Sequence, residues 1–243
     1  MDAKGTQVTP TRTEKLKIKN NETQQVEQHF SIKNPALWGL NTPNLYRLVS
    51  IVKKDGKIID NLETEFGVRT FDYNATTGFS LNGESMKIKG MCVHQDHAGV
   101  GSAVPDALVF YRIKLLKEMG VNAYRCSHNP PSKSVLEACD KLGMMVMDEI
   151  RDIGTGKEKL DQCERLVKRD RNHASIMLWS LGNEETGVQN TDLGRRMAHT
   201  LVQRQRELDP SRLSTYGGNN GINFKGINQE MDVRGFNYHI KEL

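Results

Sequence analysis

The sequence predicts an α/β chain: an incomplete (β/α)8 TIM barrel over residues 76–243, preceded by a partial immunoglobulin-like β-sandwich over residues 1–75. Three observations lead there. From Met86 onward, apolar strand-like runs alternate with amphipathic helix-like stretches, the pattern of βα units wound into a parallel sheet. Before about residue 80 the pattern is strand and turn, with no helical period. Finally, 243 residues with 37% hydrophobic content can bury a sizeable core without a disulfide or metal staple.

In the first region, residues 15–18 alternate and 26–32 do so more loosely, so both are expected as strands. The run 45–52 passes through Asp55-Gly56 into Ile58-Ile59. Asp-Gly between two such runs predicts a hairpin, because both positions tolerate positive φ. A full immunoglobulin-like sandwich takes about 100 residues, so its first strands are expected to be missing.

In the second region, strands are expected at 86–94, 122–128, 144–149, 176–184, 212–216 and 233–239. Helices are expected between them at 106–119, 132–142, 157–171 and 191–208. The second helix has Ser132 as its N-cap after Pro130-Pro131 and stops at Gly143. A closed barrel needs eight strands and about 250 residues, so two units lack room and the chain reads as cut short.

Composition excludes several functions. Lys plus Arg number 34 and Asp plus Glu 30, a net +4 spread along the chain, which is not a basic nucleic-acid module. No apolar run approaches the ~20 residues of a membrane span, and the polar start lacks the apolar middle of a secretory signal. Cys92, Cys126, Cys139 and Cys163 form no C-x-x-C pair. They are expected as reduced, small hydrophobes, with a disulfide as the alternative.

Catalytic side chains of such a barrel collect at the C-terminal strand ends. Those ends read His94-Gln95-Asp96-His97, Arg125-Cys126-Ser127-His128, Asp148-Glu149, Asn183-Glu184-Glu185 and Asn237-Tyr238-His239. Four of the seven histidines fall there. Any one of them reads as a rim residue; their gathering on one face points to function. Glu184 follows the apolar run Ile176-Met177-Leu178-Trp179, a partly desolvated position of the kind a general acid occupies. Asn183 can donate to a substrate hydroxyl, whereas Glu185 reads as a solvated loop acid. A zinc site from His94, His97, His128 and Glu184 is opposed by the fixed charge of Arg125, so no metal is expected. Gly217-Gly218 lacks the helix and lysine of a phosphate loop, and no G-x-S-x-G elbow supports a serine nucleophile.

Two longer runs carry a resemblance. Asp170-Arg171-Asn172-His173-Ala174-Ser175-Ile176-Met177-Leu178-Trp179-Ser180-Leu181-Gly182-Asn183-Glu184 resembles the acid/base signature of glycoside hydrolase family 2, the β-galactosidases, β-glucuronidases and β-mannosidases. Asn122-Ala123-Tyr124-Arg125-Cys126-Ser127-His128-Asn129-Pro130, continuing to Asp140-Lys141-Leu142-Gly143, resembles its second signature. Asn34-Pro35-Ala36-Leu37-Trp38, Pro43-Asn44-Leu45-Tyr46 and Phe66-Gly67-Val68-Arg69 are similar to its immunoglobulin-like domain and the passage into the barrel.

The resemblance implies retaining hydrolysis of a terminal β-linked sugar between two carboxylates about 5–5.5 Å apart. By position Glu184 is the acid/base and Asn183 the partner of the sugar 2-hydroxyl. His94, Arg125 and His128 line the sugar pocket, and Asn237 and Tyr238 fall near the sixth-strand tyrosine of the family. The family's nucleophile is a glutamate ending a seventh strand; Glu242 is too near the sixth to take that role, and Glu149 reads as a pocket or structural acid. The family's N-terminal jelly-roll domain is not recognisable. Asn129 stands where a tyrosine is common, and the loop 150–155 lacks the Glu-x-His of magnesium-dependent relatives. No cofactor is called for. The expected partner is a carbohydrate, with no nucleic acid and no membrane, and a full-length protein is compatible with an oligomer and with a periplasmic or secreted location. Similarity around His94 and His128 favours β-galactosides. The alternatives are a β-glucuronidase or β-mannosidase relative, an inactive fragment with weak sugar binding, or a chain completed by a partner that supplies the last strands.

Overall fold

The computed structural model describes residues 1–221, 225–239 and 241; Glu242 lies outside the described residues. Two antiparallel strands, β1 (Tyr46–Lys54) and β2 (Lys57–Phe66), form the expected hairpin. Its turn places Asp55 at φ 49° and Gly56 at φ 79°, the two positive angles that the tight turn requires. Tyr46 pairs with Phe66 at the base of the hairpin, and their rings stack with centroids 5.7 Å apart. The strands expected at 15–18 and 26–32 do not form. Among the described residues no neighbouring strand lies beside them, so their backbone groups face water instead of a ladder.

A small antiparallel sheet follows that the sequence reading did not anticipate: β3 (Phe71–Asn74), β4 (Gly78–Leu81) and β5 (Glu84–Ser85). Residues 75 and 76, where the sequence places the change of domain, lie in the turn that joins β3 to β4. Phe79 and Leu81 pack with Trp38, Met145, Met177 and Leu178, so this sheet closes the lower end of the barrel strands. Trp38 Nε1 donates to the Asp140 carbonyl at 2.8 Å, and Tyr73 Oη donates to the Met177 carbonyl at 3.2 Å.

The main sheet has six parallel strands, each beside its predecessor in the chain: β6 (Gly90–Val93), β7 (Ala123–Cys126), β8 (Met145–Glu149), β9 (Ile176–Asn183), β10 (Leu213–Gly218) and β11 (Val233–Phe236). Helices α1 (Asp106–Glu118), α2 (Lys133–Leu142), α3 (Lys157–Asp170) and α4 (Asp192–Leu208) alternate with the strands. This in-order winding is that of a (β/α) barrel. The first and last strands are shorter than the runs that predict them. The first seven residues of β9 are buried, as a parallel strand covered on both faces requires.

Helix ends follow local chemistry. Gly143 ends α2 in the left-handed conformation at φ 69°, and a Cβ there would collide with the Leu40 carbonyl. Ser132 sits at the N-cap of α2, but its hydroxyl meets Ser134 Oγ at 2.9 Å rather than capping the helix. At α4, Thr191 does cap, accepting from the Gly194 N–H at 3.0 Å. Cys126, Cys139 and Cys163 are buried, and burial pushes their thiols up; Cys92, read as a small core hydrophobe, is exposed. Alternation along β8 sends Asp148 out among the helices and Glu149 into the barrel mouth. Both are fully buried.

Candidate active site

The polar side chains at the C-terminal strand ends converge on Glu149. One carboxylate oxygen accepts from His128 Nδ1 at 2.6 Å; the other accepts from Arg125 Nε at 2.9 Å and Ser180 Oγ at 2.7 Å. Arg125 Nη2 also lies 2.8 Å from that second oxygen and donates to Asn183 Oδ1 at 2.6 Å. Asn237 Nδ2 donates both to Asn183 Oδ1 at 3.0 Å and to Glu184 Oε1 at 2.6 Å. The His94 ring stands edge-on to His128, centroids 5.4 Å apart. One continuous network therefore runs from His94 through His128, Glu149, Arg125, Asn183 and Asn237 to Glu184.

These contacts fix orientations. Arginine can only donate, so the Asn183 atom facing Arg125 is its oxygen, and its amide N–H2 is turned away from that pair. Glu149 accepts from His128 Nδ1, which leaves Nε2 of that ring toward the mouth. The backbone at Glu184 adopts φ 58°, just after Gly182 at φ 146°. The Glu184 N–H donates to the Gly217 carbonyl at 2.9 Å, tying the end of β9 to β10. Gly217 has to lack a side chain: a Cβ would stand 2.6 Å from both Arg125 Nη2 and Asn183 Oδ1.

Glu185 is not the solvated loop acid that the sequence reading expects. Its Oε1 accepts from the N–H of Ile153 at 3.0 Å and of Asn183 at 3.3 Å, and its own N–H donates to Tyr216 Oη at 2.8 Å. It braces the loop after β8 against the end of β9. Burial, then the charge of Glu185, push the Tyr216 phenol well above its ordinary value. On the other side of Glu184, Oε2 accepts from Asn219 Nδ2 at 3.4 Å, and Gln189 Nε2 donates to Asn219 Oδ1. His239 Nε2 lies 3.1 Å from the Asn219 carbonyl. Tyr238 is 79% exposed with φ 67°. Its hydrogen bond to Glu184, then that group's charge, raise the phenol.

The seven residues singled out in the sequence thus gather at one mouth: Glu184, Asn183, His94, Arg125, His128, Asn237 and Tyr238. His97 does not join them; its backbone bridges to Gly101. Asn129 donates to Gln95 Oε1 at 2.9 Å on the rim. Glu149, expected as a pocket or structural acid, lies in the site as its hub, and alternation along β8 is what turns it inward. The supports Ser180, Gln189 and Asn219 carry no signal in the sequence. Among the described residues, no group of three or more His, Cys, Asp or Glu side chains is arranged to hold a metal.

The model for the TIM barrel domain of glycosyl hydrolases family 2 matches residues 75–241, and a second model of that family matches residues 1–69. The chain is 33% identical to Beta-galactosidase BoGH2A of Bacteroides ovatus over a 286-position alignment that covers all of this chain and 34% of that protein. It is 29% identical to the Beta-glucuronidase of Bacteroides fragilis, covering 93% of this chain and 34% of that one. Among solved structures, a glycosyl hydrolase family 2 member from Bacteroides cellulosilyticus superposes with a TM-score of 0.79 at 37% identity, over 85% of this chain and 29% of the other. The chain spans about a third of the length of these relatives.

Proposed function

The chain belongs to glycosyl hydrolase family 2, and from that premise we propose that it carries the acid/base half of a retaining β-glycosidase acting on terminal β-galactosides. The observation that carries the reading is the bond from Asn237 to both Asn183 and Glu184. It holds a carboxyl and an amide side by side at the end of the strand that leads out of the core.

The chemistry follows from that pair. Glu184 gives a proton to the departing glycosidic oxygen and takes one back from the water that later releases the sugar. Asn183, its oxygen occupied by Arg125 and Asn237, has its N–H2 left to donate to the 2-hydroxyl, a contact that tightens as positive charge grows at the anomeric carbon. Arg125 and His128, both anchored on Glu149, present a rigid polar wall to the ring hydroxyls, with His94 beside them. The attacking carboxylate is not Glu149, which is wholly buried and accepts from three side chains.

Two further readings have support. Relatives with both galactosidase and glucuronidase names are similar to this chain, so aryl β-glucuronides belong in the same assay. The second is a polypeptide that holds sugar without turning it over when it acts by itself, a reading compatible with a Glu149 whose oxygens are engaged by three side chains. In the protein that bears this chain, Glu184→Gln should lower nitrophenyl β-galactoside hydrolysis by about 10²–10⁴-fold. Unchanged turnover in that variant would overturn the acid/base assignment. Turnover by the 243-residue polypeptide alone, lost in Glu184→Gln, would exclude the non-catalytic reading.

A further inference from the structure

At the end of the strands opposite Glu184, a cavity of about 340 Å3 opens between the hairpin and the segments entering β9 and β10. One wall is largely apolar, with Leu48 and Phe66 of the hairpin beside Thr64 and with Phe30 from the segment before it. Its other wall carries three guanidinium groups, Arg69, Arg171 and Arg212.

The three cations are unequally compensated. Arg212 is held on all three nitrogens, Nη1 on Asp209 at 2.6 Å, Nε on the Ile176 carbonyl at 2.8 Å and Nη2 on the His173 carbonyl at 2.8 Å, so it contributes charge rather than free donors. Arg69 donates to the carbonyls of Ala174 at 3.0 Å and Ile176 at 3.3 Å, and Arg171 to that of Leu208 at 2.6 Å. Among the described residues, neither Arg69 nor Arg171 has a carboxylate partner. Burial, and after it the charge of Arg212, lower the Arg69 guanidinium to about 9. Three positive groups against two carboxylates, Asp209 and the more distant Asp140, in a recessed, partly apolar space leave a net positive potential. An anion entering there would relieve the repulsion between Arg69 and Arg212.

We propose that this cavity is a binding site for a tetrahedral oxyanion, a sulfate or phosphate group, free or esterified to a sugar. Arg171, which spends only Nη1 on the protein, keeps the rest of its guanidinium for the oxygens of such a group, and Arg69 keeps Nη1. The volume lies at the lower end of the ligand-pocket range, which leaves space for a ring behind the anion, against Phe30 and Phe66. The site stands apart from the glycosidase mouth and does not depend on its reading.

The experiment is calorimetric titration of the full chain with sodium sulfate, sodium phosphate and galactose 6-sulfate at constant ionic strength, with sodium chloride as control. Saturable binding is expected for the oxyanions and not for chloride, with a matching rise in Tm. Arg171→Met should weaken it at least tenfold; Arg171 is exposed and makes one backbone bond, so this variant keeps the fold. Arg69→Lys, which keeps the charge but loses Nη1 together with the two carbonyl bonds, should weaken it too, and its ligand-free Tm separates a lost site from a loosened fold. Tighter binding of the sugar ester than of sulfate marks an esterified ligand, and equal binding the free ion; either supports the site. Responses equal to chloride, or full affinity in both arginine variants, would overturn it. So would loss of binding in Glu184→Gln, which would put the anion at the opposite end of the strands.

Discussion

Strand β9 and the hairpin β1–β2 are both rich in β-branched and aliphatic residues, yet they meet opposite fates. Ile176 through Gly182 are buried, between the polar network above and the small sheet below. Along the hairpin, Ile51, Val52, Ile58, Ile59 and Leu62 are all at least half exposed. The difference lies in the neighbours. The first strand has a ladder on each side and helices against it; the second has one ladder and, among the described residues, no sheet across its face. Burial is also what lets charges be held in place: Glu149 sits at a fixed point because four surrounding donor atoms and a dry core leave it no alternative.

The sharpest way to break that contrast is to remove the hub. Glu149→Gln would leave Arg125, 15% exposed, facing a neutral amide, and would take away an acceptor either from His128 or from the oxygen that Ser180 and Arg125 share. Breaking one partner of a buried ion pair costs about 3–5 kcal/mol. Urea unfolding should show a loss of that order, with the hairpin unaffected. A loss under about 1 kcal/mol would mean that water replaces the carboxylate and the network is not tightly held.

A second test sharpens the same point through pH. Asp148, one residue earlier on β8, faces the helices and lies against the carboxylate of Asp170, which Arg169 holds at 2.6 and 2.7 Å. Burial, then the charge of Asp170, push the Asp148 carboxyl well above its usual range. The folded state therefore keeps a proton that the unfolded state releases near pH 4. From there upward the folded state binds more protons, so stability falls as pH rises, by at most about 1.4 kcal/mol per unit. Asp148→Asn should flatten that slope above about pH 4. The same slope in wild type and variant would show that the proton is held elsewhere.

The legible parts of this molecule were those with strong local chemistry. Six parallel strands with four helices among them, the Asp55-Gly56 turn and the Gly143 stop each follow from residue type and spacing. The gathering of Glu184, Asn183, Arg125, His128 and Asn237 followed from the rule that barrel strands deliver side chains to one end. What escaped depends on tertiary partners. Residues 15–18 and 26–32 have the right alternation, but a strand needs a neighbour that the sequence pattern does not supply. The β3–β5 sheet was hidden in four-residue strands, although Phe71-Asp72-Tyr73-Asn74 and Phe79-Ser80-Leu81 do alternate. Glu185 and Glu184 share composition and neighbourhood. Only the backbone turn at Glu184, φ 58°, sends one carboxylate to the mouth and the other back under the strand.

The smallest expected effect lies on the hairpin. Ile59, 61% exposed, loses little contact when shortened. Ile59→Thr keeps the β-branch that suits a strand, so its cost should stay within about 0.5 kcal/mol, the range of surface substitutions. An aliphatic truncation in a packed core costs about 2–5 kcal/mol instead. The same exchange should improve solubility of the 243-residue chain, since it breaks an exposed apolar run on a ribbon that, among the described residues, has no strand on its outer edges. Unfolding and light scattering on one sample check both halves. A cost above about 1 kcal/mol would mean that Ile59 is covered in solution, and the contrast between hairpin and barrel strand would then be one of partners, present or absent, rather than of the strands themselves.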